Sequence, residues 1–261
     1  MGRIYTLVNQ KGGVGKTTTA INLGAFLGYY GQRVLLIDLD PQANATSCLG
    51  IEKLTVKNGT YEVLSGSAPI AAHILHNPRL KISLLPSSPA LSGAEVELID
   101  QSNREYKLRE VIASISDRYD YILVDCPPSL NLLTVNGLVA ARDGVIIPVQ
   151  CEYLALEGLG QLVQTLNKVR MRLFPELKVR GVVMTMYDGR TKLAMDVVEE
   201  VKKHFPAEVF KSVIPRSIRI AEAPSYGVPI TVYAPDSTGA RAYNDLACEL
   251  LAADGIKIPE I

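Results

Sequence analysis

The chain has 261 residues, 27 basic and 27 acidic side chains and an apolar fraction of 48%. That length permits one large α/β domain or two small ones, and the apolar fraction is ample for a core. The even balance of charge excludes a general cationic coat for nucleic acid, though not a local basic patch.

No run approaches 18 uninterrupted apolar residues, so no membrane span is expected. The first apolar run begins within four residues of the N-terminus, which leaves no room for a signal peptide. Cys48, Cys126, Cys151 and Cys248 show no Cys-x-x-Cys spacing and read as reduced cytosolic thiols.

In chain order, strand-like runs alternate with helix-like ones. Residues 4–8 are an apolar strand, and 17–28 a helix with Ala20, Leu23, Gly24 and Leu27 on one face. Further strands are expected at 34–37, at 81–85 before the breaks of Pro86 and Pro89, at 121–124 and at 144–149. A helix over 154–173, a strand over 179–184, a helix over 193–204, a strand over 209–214 and a last helix over 239–253 follow. Most strands are apolar throughout, as parallel strands covered on both faces must be. The repeated strand–helix unit predicts one doubly wound, mostly parallel sheet with helices on both faces. Nothing marks a linker, so residues 1–261 read as a single domain. Ligands should sit at the carboxyl ends of the strands, where the loops after Val8, Ile37 and Val124 converge.

Residues 11–18 read Lys-Gly-Gly-Val-Gly-Lys-Thr-Thr, between the first strand and the first helix. Small residues let backbone N–H groups close around an anion, and the helix N-terminus adds to the field. Gly12, Gly13, Val14, Gly15, Lys16, Thr17 and Thr18 are therefore the expected phosphate cradle. Lys16 can reach terminal phosphates, and the Thr17 hydroxyl can ligate Mg²⁺. One departure from G-x-x-x-x-G-K-[ST] is informative: Gln10 stands at the first glycine position, and a second lysine, Lys11, opens the loop.

Asp125 ends an apolar strand, where an unpaired carboxylate is costly. It is read as orienting Mg²⁺ or its water shell, the other reading being a helix N-cap. Asp38 and Asp40 lie two apart after the second strand and share a side if the strand geometry persists. Asp38 suits contact with the metal shell. Asp40 suits orientation of an attacking water, unless one of the two caps the turn before Pro41.

These segments together resemble the ParA/Soj branch of the deviant Walker A ATPases, within the P-loop NTPases. They are residues 11–18, Asp-Leu-Asp-Pro-Gln from Asp38 and Leu-Val-Asp-Cys-Pro-Pro-Ser from Leu123. The likeness continues in Ile-Pro-Arg from Ile214, Glu-Ala-Pro-Ser-Tyr-Gly from Glu222 and Gly-Ala-Arg-Ala-Tyr from Gly239. The resemblance implies a Mg²⁺-dependent ATP hydrolase whose two subunits sandwich two ATP molecules. Lys11 would reach the partner's nucleotide and make hydrolysis depend on dimerisation. The dimer would bind DNA without sequence preference, in the cytoplasm and on the nucleoid. A ParB-like activator would stimulate an otherwise slow turnover and release the DNA.

Residues 178–219 hold nine basic against five acidic side chains, which fits a phosphate-binding face. By their resemblance to the family's motifs, Arg190 and Arg219 are the favoured DNA contacts, with Lys192, Lys211 and Arg216 behind them. The loops at 185–187 and 214–216, with Pro215 and Arg216, are the expected adenine side. No N-terminal helix-turn-helix segment is expected. The nearest alternative is a MinD-like membrane-associated positioning ATPase. The segment from Ala252 to the end, with one lysine, two acids and a proline, argues against membrane docking. A metabolic amidotransferase or synthetase lacks any marked glutaminase nucleophile. An iron–sulfur carrier lacks the pattern around Cys126 and Cys151.

Overall fold

The computed structural model describes residues 1–153 and 155–258. Leu154, the expected first residue of a helix, and Pro259, Glu260 and Ile261 of the C-terminal segment lie outside the described residues.

The strands are β1 (Arg3–Leu7), β2 (Val34–Asp38), β3 (Leu75–Asn77), β4 (Ile82–Leu85), β5 (Tyr121–Asp125), β6 (Gly144–Gln150), β7 (Val179–Tyr187) and β8 (Val209–Pro215). They form one eight-stranded sheet in the order β3-β4-β2-β5-β1-β6-β7-β8. Among the described residues β3 alone pairs antiparallel, against β4. The doubly wound sheet read from the sequence is thus the observed one, with β3 as an unforeseen edge.

Helices cover both faces. They are α1 (Lys16–Tyr29), α2 (Asn44–Cys48), α3 (Thr60–Ser65), α4 (Leu91–Leu98), α5 (Lys107–Ala113) and α6 (Leu132–Ala140). After these come α7 (Ala155–Arg172), α8 (Lys192–His204), α9 (Ile218–Glu222), α10 (Ile230–Tyr233) and α11 (Thr238–Ala253). Along β2, Val34 and Leu36 join the core beneath α1 and α11, while Leu35 and Ile37 join the opposite core. Each central strand is therefore buried twice over, which is why it reads as continuously apolar. α1 lies close on the sheet: a Cβ on Gly28 would stand 2.4 Å from the Lys81 carbonyl oxygen.

β1 is the switch point of the winding, with β5 on one side and β6 on the other. Leu7, Asp125 and Asp38 are register partners across β1, β5 and β2. The three loops that leave this rim therefore start side by side.

Candidate nucleotide site

The glycine loop is held from two neighbouring strands, β6 and β7. Asn9 is 3% exposed and donates from Nδ2 to the Pro148 carbonyl of β6 at 2.7 Å, while its Oδ1 accepts the Lys11 N–H at 3.0 Å. From β7, the Thr185 hydroxyl donates to the Val14 carbonyl at 2.8 Å. Gly13 and Gly15 have φ of +75° and +89°, a region that penalises any other residue type. Gly15 then opens α1, whose first N–H groups face the loop. Lys16 is 7% exposed and its Nζ donates to the Lys11 carbonyl at 3.1 Å. Burial pulls its ammonium pKa below the ordinary value, against the pull of the Asp125 charge.

Asp125 is fully buried, and its Oδ2 accepts the Thr17 hydroxyl at 2.6 Å. Its Oδ1 is buried without a hydrogen-bond partner. A half-satisfied carboxylate at a phosphate loop fits a hard cation, and Thr17 supplies a second oxygen beside it. Among the described residues no three His, Cys, Asp or Glu side chains converge as a metal cage. Magnesium at a phosphate needs none, because one or two protein oxygens suffice.

Burial, then the neighbouring Asp38 charge, pushes the Asp125 pKa up from 3.8 to about 8. A folded-state pKa above the unfolded one contributes stability below the unfolded value, and that stability is lost as pH rises through the folded value. The nucleotide-free wild type should therefore fall progressively behind Asp125→Asn between pH 5 and pH 8. The expected gap in Tm grows by roughly 3–6 °C over that window. Asparagine keeps an acceptor for Thr17, so a gap that stays flat with pH would mean that the Asp125 carboxyl titrates alike in the folded and unfolded chain.

Asp38 stands next to Asp125 but is already engaged. Its Oδ2 accepts the Thr46 N–H at 2.8 Å and the Thr46 hydroxyl at 2.7 Å, and its Oδ1 accepts the Asp40 N–H at 3.2 Å. Burial raises its pKa to about 6, with those hydrogen bonds acting in the opposite sense. The Asp40 Oδ1 accepts the Gln42 N–H at 2.9 Å, and the Ser87 hydroxyl donates to the Asp40 carbonyl at 2.8 Å.

Two cavities meet at this rim. One of about 290 Å³ is lined by the glycine loop, Lys16, Thr17, Asp40, Asn44 and Pro128. The other, about 320 Å³ and mostly apolar, is lined by Thr185, Ile214, Pro215, Arg216 and Tyr243 among others. A larger cavity of about 550 Å³ near Arg33, Lys81 and Arg118 lies at the opposite rim, away from all three loops.

Lys11 does not line the phosphate cavity of its own chain. Its Nζ lies 3.9 Å from the Glu152 carboxylate, which also accepts from Arg216 at 3.3 Å.

The basic stretch 178–219 divides, which corrects the reading of it as one face. Lys178, just before β7, and Arg180, at its amino end, lie at the far rim, where Arg180 pairs with Asp254 at 2.9 Å. Lys202 and Lys203 pair with Glu199 and Glu200 in the last turns of α8. Arg190, Lys192, Lys211, Arg216 and Arg219 remain exposed. Arg190 is held by Asp188 at 2.7 Å and Arg219 by Glu222 at 3.1 Å. Exposed pairs of this kind are worth little and exchange readily for phosphate.

Sequence reading missed Asn9, Thr46 and Asn44. A polar residue directly after a buried strand was the available signal for Asn9. Thr46 and Asn44 lie in the short helix α2, which has no period to read.

Known proteins are similar to this chain in sequence and in fold. A family model described as an AAA domain matches residues 2–179. The sporulation initiation inhibitor protein Soj of Bacillus subtilis (strain 168) is 51% identical, over 97% of this chain and 99% of its own. The chromosome partitioning protein ParA of Myxococcus xanthus (strain DK1622) is 49% identical, over 99% of this chain and 91% of its own. A solved structure described as cobyrinic acid a,c-diamide synthase of Mycobacterium smegmatis, with bound ATP analog and magnesium, superposes with a TM-score of 0.86. It is 37% identical, and the match covers 100% of both chains. The chain belongs to the Soj/ParA family of chromosome-partitioning P-loop ATPases.

Proposed function

We propose that this ATPase dimerises on ATP, binds DNA nonspecifically as the dimer, and is released when a ParB-like partner stimulates hydrolysis, so driving chromosome or plasmid segregation. The observation that carries the reading is the buried Asp125–Thr17 pair beside the glycine loop, with Asp40 on the wall of the same cavity. Gly12, Gly13, Val14, Gly15, Thr17 and Thr18 would cradle the phosphates, and Lys16 would neutralise them once nucleotide replaces its contact to the Lys11 carbonyl. Thr17 and Asp125 would hold Mg²⁺, which when bound neutralises charge on the terminal phosphates. Asp38, its oxygens taken by Thr46 and Asp40, would act on that metal through charge and by shaping the loop.

Asp40 would orient the attacking water. The water oxygen bonds to the terminal phosphorus, the bond to the bridging oxygen breaks, and ADP and phosphate leave. The apolar cavity beside Pro215 and Arg216 would take the base. Lys11 would complete the partner's site. Arg190 and Arg219, with Lys192, Lys211 and Arg216, would meet DNA phosphates, and pairing two subunits would multiply those contacts. That avidity would place the ATP form on the nucleoid, within the cytoplasm.

DNA retention measured with ATP, with ADP and without nucleotide tests the switch. Retention is expected with ATP only. Arg219→Ala should weaken it several-fold and lower the salt slope by about one to two, since each dimer loses two phosphate contacts, with ATP affinity unchanged. Retention in all three states would refute the switch. Wild-type affinity in both Arg190→Ala and Arg219→Ala would place the DNA face elsewhere.

A further inference from the structure

The cavity at the amino rim of the sheet carries charge of one sign. Its volume of about 550 Å³ exceeds that of either cavity at the nucleotide rim and suits a small organic ligand. Arg33, Lys81, Arg118 and His76 line it, and no Asp or Glu does. Arg33 is already engaged, because Asp120 accepts from its guanidinium at 2.7 and 3.1 Å. Lys81 and Arg118 form no ion pair among the described residues. Helix α1 ends at the same rim, and open carbonyls there would repel an anion. They are covered instead: the N–H groups of Tyr30, Gly31 and Gln32 donate to the carbonyls of Phe26, Gly28 and Leu27 at 3.0, 3.1 and 3.1 Å.

Lys81 is held in this cavity against its own backbone preference. It closes the hairpin between β3 and β4 with φ of +54°, where glycine or asparagine is at ease and lysine is not. Its carbonyl is packed against Gly28 of α1, so the backbone has no room to relax. Strain that the surroundings over-determine gathers at ligand sites. The rest of the lining is suited to an organic body. Ser83 is 7% exposed and its hydroxyl pairs with His76 Nδ1 at 3.2 Å, while Val34, Pro78 and Tyr119 supply uncharged walls.

We propose that this cavity is a second ligand site, for a soluble organic phosphate monoester: Lys81 and Arg118 take the dianionic phosphate, and Val34, Pro78 and Tyr119 take its organic body. The fork of an arginine beside the point charge of a lysine matches a phosphate's oxygens. The site is independent of the nucleotide reading above. α1 and β2 each run from this rim to the nucleotide rim, but no residue lines cavities at both, so the two sites can be filled together.

Calorimetric titration with naphthyl phosphate, after the phosphate loop has been saturated with magnesium ADP, tests it. One molecule per chain should bind with a Kd of about 0.1–1 mM. Inorganic phosphate should bind at least about tenfold more weakly and naphthol not measurably, since each offers half of the recognition. Lys81→Gly and Arg118→Gln should each weaken naphthyl phosphate about tenfold and leave ATP turnover unchanged. Glycine tolerates the left-handed backbone, so Lys81→Gly should fold with a Tm no lower than that of wild type. Arg79→Gln removes a neighbouring exposed charge that does not line the cavity, and it should change nothing. An equal loss in Arg79→Gln would reduce the effect to diffuse surface charge and overturn the proposal. Wild type that ignores naphthyl phosphate would overturn it too, as would binding untouched in the Lys81 and Arg118 variants. Vesicles of phosphatidic acid present the same group on a lipid, and sedimentation with them that depends on Lys81 and Arg118 would overturn the soluble ligand. DNA retention lost in both variants would make this rim a nucleic-acid face instead.

Discussion

Replacing Lys11 with alanine is expected to cut partner-stimulated ATP turnover by about a hundredfold or more, while nucleotide affinity changes by less than about threefold. The two effects separate because Lys11 serves its own loop through its backbone. Its N–H donates to Asn9 and its carbonyl accepts from Lys16, and alanine keeps both bonds. The side chain instead points away from the phosphate cavity of its own chain, toward Glu152. A cation delivered from a second subunit would stabilise charge developing on the transferred phosphoryl group, as other trans-acting cations do. A mixing experiment decides it. Lys11→Ala and Asp40→Ala should each be nearly inactive alone. Mixed in equal amounts, they should regain about a quarter of wild-type turnover, since half of random dimers are mixed and one of their two sites is whole. Sedimentation reports whether the two variants pair. Paired but inactive mixtures would show that Lys11 works within its own subunit.

The strands and the phosphate loop were legible because their signals are local. A double-buried strand is a run of apolar residues, and a glycine loop between strand and helix is contiguous. α6 was not legible for the opposite reason: Leu133, Leu138 and Val139 are buried with Thr134 and Asn136, so no polar face sets a period. α4 and α5 are short, and β3 is a three-residue edge with every residue exposed. At the site, Asp40 and Asp125 could be picked out by position, but the state of Asp38 could not. Thr46, which occupies one of its oxygens, is eight residues away across a turn. The division of the basic stretch was hidden for a similar reason. Nothing near Arg180 in sequence reveals that its partner is Asp254, 74 residues later.

That partner carries the largest expected loss of stability. Asp254 follows α11 and precedes Gly255, so locally it reads as a turn residue, and a carboxylate at a helix C-terminus opposes the helix dipole. Its surroundings reverse that judgement. Its side chain is 3% exposed and accepts from the Tyr5 hydroxyl at 2.8 Å, the Tyr121 hydroxyl at 2.9 Å and Arg180 at 2.9 Å, with Arg3 at 3.4 Å. Burial, reinforced by the Asp254 charge, raises both phenol pKa values, so the hydroxyls remain donors. One carboxylate thus ties the end of α11 to β1, β5 and β7. Asp254→Ala leaves a half-buried guanidinium and two buried hydroxyls without their acceptor and should cost about 3–5 kcal/mol. In a chain of this size that is a fall in Tm of roughly 8–15 °C. Tyr5→Phe and Tyr121→Phe should each cost only about 1 kcal/mol, because each removes a donor and leaves the carboxylate its other partners. The nucleotide site lies at the other end of α11, where Tyr243 lines the apolar cavity and its hydroxyl lies 3.2 Å from that of Thr19. ATP affinity measured well below the new Tm should therefore stay within about twofold of wild type, since well-separated sites without shared partners act independently. Urea unfolding of the three variants measures the costs. An Asp254→Ala midpoint equal to that of wild type would mean that the end of α11 is held by apolar packing alone.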